Sequence, residues 1–300
     1  MPRLRPAFLP PLGGGGSAKP RRRGGDGHGA GAVKLVVFND RAILRMPHRI
    51  LILGGTAEAR QIAAALAARG DCDVVLSLAG RTGNPVGQGV PVRVGGFGGA
   101  EGLAAYLREN GIVLLVDATH PYAARISANA AEAARVAGVP ILALRRPGWK
   151  RMDGDRWAEV DDVAGAVRAL GATPRHVFLT LGRQEVHAFE AAPQHHYLVR
   201  SVDPVEPPLA LPDLETILAR GPFETADERT LMERHGIDAV VSKNSGGAAT
   251  YGKIAAARAL GIEVVMVRRP ALPDVQSALS VHELVAMAAH VLGPVAERGV

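Results

Sequence analysis

The chain has 300 residues, 47% of them hydrophobic, which is enough to bury the core of one large domain or of two. The formal net charge of +6 comes from the first 47 residues, which carry +7, so the remaining 253 carry −1 and give no support for a nucleic-acid-binding surface. No run of about 18 apolar residues is present to span a membrane. The single cysteine, Cys72, excludes an internal disulfide and a cysteine-built zinc site and fits the reducing cytoplasm.

Residues 1–47 are rich in Gly, Pro and Arg and show no apolar periodicity, which predicts a disordered arm. The segment also lacks the apolar core of a secretory signal. We expect Met46, three residues before the first predicted strand, to be the true translation start. An Arg-rich targeting or nucleic-acid-binding arm is the alternative. Residues 294–300 are expected to form a tail.

From residue 48 onward, short β-branched runs alternate with alanine-rich helical segments, which is typical of parallel sheets covered by helices. The first half predicts strands at RILILG, DVVLSLA, IVLLVDA and PILALRR, and helices over residues 57–68, 99–110 and 123–137. The glycine- and proline-containing stretch RRPGWKRMDGDRW then predicts a boundary near residue 150. The resulting domains cover residues 48–150 and 151–293.

The second half repeats the alternation. It predicts strands at HVFLTLG, YLVRSV, DAVVSKN and EVVMVRRP, and helices around residues 185–190, within DLETILAR and TADERTLMERHG, and over TYGKIAAARALG. The predicted fold class is therefore α/β, with two Rossmann-like domains of mostly parallel strands and an active site in the cleft between them.

The two halves contain an internal repeat. DATHPYAARISANAAEAARVAGVPILALRRP aligns without a gap on VVSKNSGGAATYGKIAAARALGIEVVMVRRP at an offset of 123 residues. Any alanine-rich helix followed by Gly and a strand would align in part, so the shared RRP ending and the equal spacing carry the match. The repeat makes Thr119-His120 and Ser242-Lys243 counterparts at strand ends, where open α/β sheets bind ligands. We expect them to face each other across the cleft.

The stretch LGGTAEAR combines a strand, a Gly-Gly turn and the start of a helix. Gly54 and Gly55 permit close backbone approach, and Thr56 can cap a helix whose N-terminal amides attract phosphate. Because the complete G-x-G-x-x-G pattern is absent, a tight turn without a ligand is the alternative.

The end of the second predicted strand, SLAGRTG, bears on the choice of nucleotide. It holds Ser77 and Arg81 and lacks the carboxylate that accepts hydrogen bonds from the ribose of NAD. A hydroxyl and a guanidinium favour the 2′-phosphate of NADP, with an ordinary solvated loop position for Arg81 as the alternative.

Three further motifs follow strands. In DATHPYA, His120 can transfer a proton near neutral pH and Tyr122 can donate or stack, with a structural role as the alternative. The cluster SKNSGGAATYGK suits a carboxylate or phosphate, or else forms a capped helix entry; its candidate residues are Lys243, Asn244, Ser245, Gly246 and Gly247. In FLTLGRQEVHAF, Arg183 can grip a carboxylate. The histidines nearby lack the pattern of a metal site, so we expect no metal.

These motifs in this order, together with KIAAARALGIEVVMVRRP, resemble the precorrin-6A reductase family of cobalamin biosynthesis over about residues 48–293. The resemblance implies an enzyme that uses NADPH to reduce a C=C bond of a corrin-ring precursor, giving precorrin-6B, and it leaves the metal-free and cobalt-containing substrates open. It implies a cofactor turn of Gly54, Gly55, Thr56 and Glu58. His120, Tyr122 and Lys243 would be the catalytic candidates, and Arg183, Arg200 and residues 243–247 would bind substrate carboxylates.

Two other functions stay open from the residues alone: a regulatory protein that senses NADP without chemistry, and an S-adenosylmethionine-dependent methyltransferase. The missing acidic residue after the second strand counts against the methyltransferase. The expected partner is a small-molecule tetrapyrrole, with transient hand-over to neighbouring pathway enzymes, in the cytoplasm.

Overall fold

The computed structural model describes residues 46–80, 87 and 89–294. The predicted arm up to residue 45, Arg81 and the predicted tail from residue 295 lie outside the described residues.

Twelve strands are present in the described part of the chain: β1 (His48–Leu53), β2 (Cys72–Leu78), β3 (Val92–Val94), β4 (Leu114–Asp117), β5 (Ile141–Leu144), β6 (Arg156–Val160), β7 (His176–Thr180), β8 (His196–Ser201), β9 (Leu214–Leu218), β10 (Ala239–Lys243), β11 (Glu263–Val267) and β12 (Ser277–Ala278). The α-helices of the same residues are α1 (Ala57–Ala67), α2 (Gly99–Glu109), α3 (Ala124–Ala137), α4 (Val163–Leu170), α5 (Thr225–Arg234), α6 (Gly252–Leu260) and α7 (Val281–Leu292). Short 3-10 turns cover Val186–Ala191 and Ala248–Thr250.

The strands form two six-stranded sheets in which every described pair is parallel. The first has the order β12-β5-β4-β1-β2-β3 and the second β6-β11-β10-β7-β8-β9. Five strands of each sheet follow the doubly wound order 3-2-1-4-5, and each sheet adds one strand at the same edge. The α/β fold class with two Rossmann-like sheets is thus confirmed.

Both faces of each sheet are covered, which explains the nearly continuous apolar runs of the strands. In β1, Ile50 and Ile52 pack on the face covered by α1 and α7, while Leu51 and Leu53 pack on the face covered by α2 and α3. The second sheet is arranged alike, with α4 on one face and α5 and α6 on the other. The carboxyl ends of the strands are left free to carry polar loops.

The structure also confirms the internal repeat. The unit β4-α3-β5 corresponds to β10-α6-β11, and both sets of strands occupy the same positions in their sheets. Helices α3 and α6 each end at a glycine in the left-handed conformation, Gly138 (φ 69°) and Gly261 (φ 65°), before the chain enters the next strand.

The C-terminal segment does not stay with the second half, where the sequence placed residues 151–293. Strand β12 pairs with β5 of the first sheet, and α7 packs on α1 through Leu284, Ala288 and Leu292. These side chains cover the apolar face of the first sheet around Ile50 and Ile52. Burial of that face explains why the C-terminal segment packs on the first sheet and not on the second.

The helix predicted within DLETILAR is wrong, because Leu214–Leu218 forms β9 at the edge of the second sheet. Its backbone pairs in parallel with β8 from Tyr197↔Leu214 to Ser201↔Leu218. The open edge of β8 supplies hydrogen-bond partners for the backbone of this segment, so pairing with β8 decides its conformation. None of the helices in the described ranges is long and apolar enough to cross a membrane.

Candidate functional site

A cavity of about 650 Å³ opens where the carboxyl ends of both sheets meet. Its walls come from the turns after β1, β2, β4 and β10, together with the loop after β7. Thr119 and His120 from one half and Ser242 and Lys243 from the other all line it, as the repeat predicted. A cleft built from equivalent strand ends of two sheets is a typical place for a ligand in an α/β fold.

The first turn contributes a helix N-terminus to this cavity. The Gly54 amide donates to the Ser77 carbonyl (2.9 Å), and Thr56 caps α1 by accepting from the Ala59 amide (3.1 Å). Gly55 has φ 110°, and a Cβ at that position would meet nothing within 4 Å, so the space beside the turn is open. The exposed Ala57 begins the helix, and the first amides of a helix lack acceptors within it. The turn can therefore receive an anion.

Glu58 is part of a link between the two halves. Its carboxylate accepts from the Arg146 guanidinium (2.5 Å), and the same guanidinium donates through Nε to the Ser245 carbonyl (2.8 Å). Arg269, the counterpart of Arg146 in the repeat, donates to the Asn244 carbonyl (2.7 Å) and to the Arg146 carbonyl (2.6 Å). The RRP ending that marked the repeat thus holds the cavity walls together, a role that the sequence analysis missed.

The structure does not place Ser77 as the cofactor hypothesis required. Its side chain lies within the sheet and is only 5% exposed, whereas Leu78, Ala79 and Gly80 line the cavity after β2. The period-two alternation of a strand turns neighbouring side chains to opposite faces, which accounts for the difference. Arg81, the other residue of that hypothesis, lies outside the described residues.

His120 stands at the open side of the cavity, where its side chain is exposed to solvent although the cavity walls surround much of the ring. Its Nδ1 accepts from the Tyr122 amide (3.3 Å), so Nε2 carries the proton of the neutral ring. Burial among the walls, together with the positive charges of Arg146, Lys243, Arg269 and Lys253, lowers the pKa of His120 to about 3. At neutral pH the imidazole is neutral and does not store a proton for catalysis.

Tyr122 reaches from the first half into the second. Its hydroxyl donates to the Val267 carbonyl and accepts from the Asn244 amide (2.8 Å), and its ring packs against the core of the second sheet. Burial raises the pKa of Tyr122 to about 12. Since both hydrogen bonds are made to backbone groups, the hydroxyl fixes the relation of the two halves and is not free to protonate a ligand.

Lys243 also has a partner in the structure. Its ammonium donates to the Glu185 carboxylate, which in addition accepts from the Gly182 amide (3.2 Å). The ammonium lies 4.8 Å from the centre of the Tyr122 ring. Glu185 was not among the predicted site residues, although it follows Gly182 by three positions in the quoted FLTLGRQE stretch.

The loop SKNSGG divides into residues that line the cavity and residues that hold the loop in place. Ser245 and Gly247 line the cavity. The Asn244 side chain instead accepts from the Trp149 amide (2.6 Å) and donates to the Trp149 carbonyl (3.0 Å). Gly246 has φ 71°, and a Cβ there would lie 1.9 Å from the Pro147 carbonyl oxygen. The substrate-binding assignment of Asn244 and Gly246 is therefore corrected to a structural one.

Arg200 and Arg183 line a smaller cavity of about 280 Å³ beside the main one. Arg200 is 8% exposed, donates through both terminal nitrogens to Glu228, and stacks on the Phe223 ring at 3.6 Å. A guanidinium held in this way is committed to the core, so the substrate-binding role predicted for Arg200 is corrected to a structural one. Arg183 is half-buried in the wall of the smaller cavity, and its substrate-binding role stays a prediction.

Lys253 is the last residue of the SKNSGGAATYGK stretch and is not among its predicted site residues. It is 5% exposed and lines both cavities, and its ammonium donates to the Thr250 carbonyl (3.0 Å). Loss of hydration on burial, followed by the positive charge of Arg200, lowers the pKa of Lys253 to about 7.

Among the described residues, no group of three or more His, Cys, Asp or Glu side chains could hold a metal ion.

The main cavity is strongly cationic. Its described lining includes six Lys or Arg residues and two carboxylates, and both carboxylates, Glu58 and Glu185, already pair with a cation. The basic residues are Arg60, Arg125, Arg146, Arg220, Lys243 and Lys253. The site is thus built for a ligand or ligands with several negative charges.

Comparisons with known proteins point in one direction. The family model "Precorrin-6x reductase CbiJ/CobK" matches residues 49–289. A precorrin-6A reductase of Sinorhizobium sp is 58% identical over 255 residues, covering 85% of this chain and 97% of the relative. A precorrin-6A reductase of Rhodobacter capsulatus is 50% identical over 225 residues, covering 75% and 89%.

A cobalt-precorrin-6A reductase of Priestia megaterium is more distant, at 28% identity over 235 residues, covering 74% of this chain and 90% of the relative. Among solved structures, "CobK precorrin-6A reductase" matches with a TM-score of 0.79 and 46% identity, covering 84% of this chain and 99% of that one.

Proposed function

Because the chain belongs to the precorrin-6x reductase family, an oxidoreductase family of cobalamin biosynthesis, we propose that it reduces a C=C bond of metal-free precorrin-6A with NADPH, giving precorrin-6B. The choice of the metal-free substrate is supported by the relatives: two precorrin-6A reductases are 58% and 50% identical to this chain, whereas a cobalt-precorrin-6A reductase is 28% identical. Their common activity also favours a reductase over the methyltransferase and the nucleotide sensor.

The observation that carries the proposal is the shared cavity. A single space of about 650 Å³ contains a helix N-terminus suited to phosphate and a set of cations suited to carboxylates. Precorrin-6A bears many acetate and propionate groups, and NADPH bears phosphates, so both reactants match the charge of the walls. A reductase needs them side by side in one place, away from water.

The residues of the first turn fit a dinucleotide. The open space beside Gly55 and the exposed first residue of α1, Ala57, leave room for a phosphate next to the helix amides. We assign Gly54, Gly55 and Thr56 to this role and Glu58 to positioning the turn through Arg146. Arg81 remains the proposed partner of the 2′-phosphate, by its place after β2. A cofactor bound at this turn would supply the hydride from its nicotinamide.

The other side chains bind and orient the macrocycle. Arg183, Lys243 and Ser245, with the Gly247 backbone, are the proposed contacts for its carboxylates, and they come from the second half. His120, neutral at working pH, can donate one hydrogen bond from Nε2 to the substrate without adding charge. The first half is thus proposed to hold the cofactor and the second half the substrate, in a cytoplasmic enzyme that hands its product to the next pathway enzyme.

Turnover with defined substrates tests this function. The purified protein should oxidise NADPH when precorrin-6A is added, with a matching change in the visible spectrum of the macrocycle, and it should use NADH far less well. Cobalt-precorrin-6A serves as the matched control and should be reduced more slowly. If NADPH is oxidised with neither the metal-free nor the cobalt-containing macrocycle, the reductase proposal is refuted. Faster turnover of the cobalt form would refute the substrate assignment.

A further inference from the structure

Lys253 is a buried cation in the wall between two cavities. It is 5% exposed, and it lines both the main cavity and the smaller one beside it. Within the described residues, its ammonium donates to the Thr250 carbonyl (3.0 Å) and lies 5.2 Å from the centre of the Trp149 ring. An ammonium has three N–H donors, so this one keeps hydrogen-bonding capacity toward the cavity.

The position is unfavourable for a positive charge. Glu228 is the acidic group that acts on Lys253, but both of its carboxylate oxygens bind Arg200. No carboxylate of the described residues lies within ion-pair distance of the Lys253 ammonium. Lys253 also belongs to the first turn of α6, whose positive dipole end disfavours a cation. A lysine held in this way gives up its proton far more readily than one in water.

The titratable groups that face Lys253 come from three elements: Arg200 on β8, Glu228 on α5 and His120 in the loop after β4. Arg183, Glu185 and Lys243 line the same cavities, and Asp203, which follows β8, lines the smaller one. The charges of these neighbours therefore influence the protonation states of Lys253 and His120.

The other candidate acids of the cavity are committed or unprotonated. His120 is neutral at working pH, the Tyr122 hydroxyl bonds to two backbone groups, and Lys243 is paired with Glu185. Lys253 alone among these four combines access to the cavity with a proton that leaves readily near neutral pH.

We propose that Lys253 is the proton donor of the reduction, an assignment that rests on the proposed function. Reduction of a C=C bond adds a hydride, supplied by NADPH, to one carbon and a proton to the other. As the hydride forms its C–H bond, the π electron pair shifts to the second carbon and takes a proton from the Lys253 ammonium, whose N–H bond breaks. NADP⁺ and a neutral amine remain, and the amine regains its proton from solvent.

The pKa of Lys253 can be measured without turnover. The chain has five lysines, so ¹³Cε-labelled lysine gives a small set of NMR signals, and the one absent from Lys253→Arg is that of Lys253. The signal should titrate near pH 7 in the protein without substrate, because burial and Arg200 disfavour the charged form. A midpoint above about 9.5, close to an ordinary lysine, would overturn the proposal. This result does not depend on whether the proposed function is correct.

Kinetics separates a proton donor from a simple carboxylate anchor. Lys253→Arg keeps the charge but does not release a proton at neutral pH, and Lys253→Met removes both. A proton donor predicts a fall in kcat of about 100-fold or more in both variants, with NADPH affinity retained. In the wild type, kcat should fall as the pH rises above about 7, and this loss should be absent from the residual activity of Lys253→Arg.

The exposed Lys150→Met is the matched control and should behave as wild type. Wild-type kcat in Lys253→Arg, with only KM raised in Lys253→Met, would show an anchor and overturn the proposal. An inactive wild type would instead refute the proposed function, and the NMR titration would still decide whether Lys253 is an acid near neutral pH.

Discussion

Ala57→Asp should weaken NADPH binding by about 100-fold or more while leaving the fold as stable as before. Ala57 is exposed, lines the main cavity and is the first residue of α1. An aspartate in the first turn is favourable to a helix, because it complements the positive end of the dipole. The same carboxylate would stand where the phosphate is proposed to bind, and like charges brought together cost several kcal/mol, of which about 2.7 kcal/mol already corresponds to 100-fold.

Ala57→Asn provides the matched control, since asparagine has the size of aspartate without its charge. It should bind NADPH within a few-fold of wild type. Affinities can be measured by calorimetric titration, with thermal unfolding recorded for each variant. Equal NADPH affinities for the Asp and Asn variants would show that the phosphate does not bind at the start of α1, and the cofactor assignment of the first turn would have to be abandoned.

Asp117→Ala should cost about 3–5 kcal/mol of unfolding free energy, the cost of breaking a buried pair. Asp117 is fully buried at the end of β4. One carboxylate oxygen accepts from the Thr119 hydroxyl (2.7 Å), and the other accepts from the Ser127 hydroxyl (2.6 Å) and from Arg145 (2.9 Å). Removing the carboxylate leaves the largely buried Arg145 guanidinium without its counterion and releases the loop that carries His120.

Asp117→Asn tests the same hydrogen-bond network with a smaller loss of interactions. It keeps one oxygen acceptor for Thr119 but removes the charge that balances Arg145, so its cost should be intermediate. Glu132→Ala removes an exposed ion pair with Arg135 and should leave the midpoint of urea unfolding unchanged. A midpoint for Asp117→Ala close to that of wild type would mean that the buried network does not stabilise the first half.

The sequence predicted the architecture because the architecture depends on local patterns. Alternating apolar strands and alanine-rich helices give the two parallel sheets, and the repeat at 123 residues correctly paired the strand ends that carry Thr119-His120 and Ser242-Lys243. The predictions of the fold were wrong where contacts between residues far apart in the sequence determine the structure. Leu214–Leu218 forms a strand because it pairs with the edge of β8. Helix α7 packs on the first sheet because it covers an apolar face there.

The candidate site was harder to predict, because a polar residue near a cavity either binds a ligand or holds the wall, and the sequence does not show its partner. Arg200 looked like a substrate-binding cation, but Glu228, 28 residues later, takes both of its terminal nitrogens. Asn244 in the same way is occupied by the backbone of Trp149. Lys253 is hard to find for the opposite reason: no carboxylate of the described residues lies within ion-pair distance of its ammonium, which only the packing of α5 and α6 reveals.

Transfer of deuterium from labelled cofactor to substrate tests whether one cavity holds NADPH against the macrocycle. With NADPH deuterated at the transferable position of the nicotinamide, the product from precorrin-6A should carry one carbon-bound deuterium per macrocycle, detected by mass spectrometry and placed by NMR. NADPH deuterated on the opposite face should deliver none. A reduced product without deuterium from either cofactor, or NADPH left unconsumed, would show that NADPH does not donate its hydride to the macrocycle in this cavity.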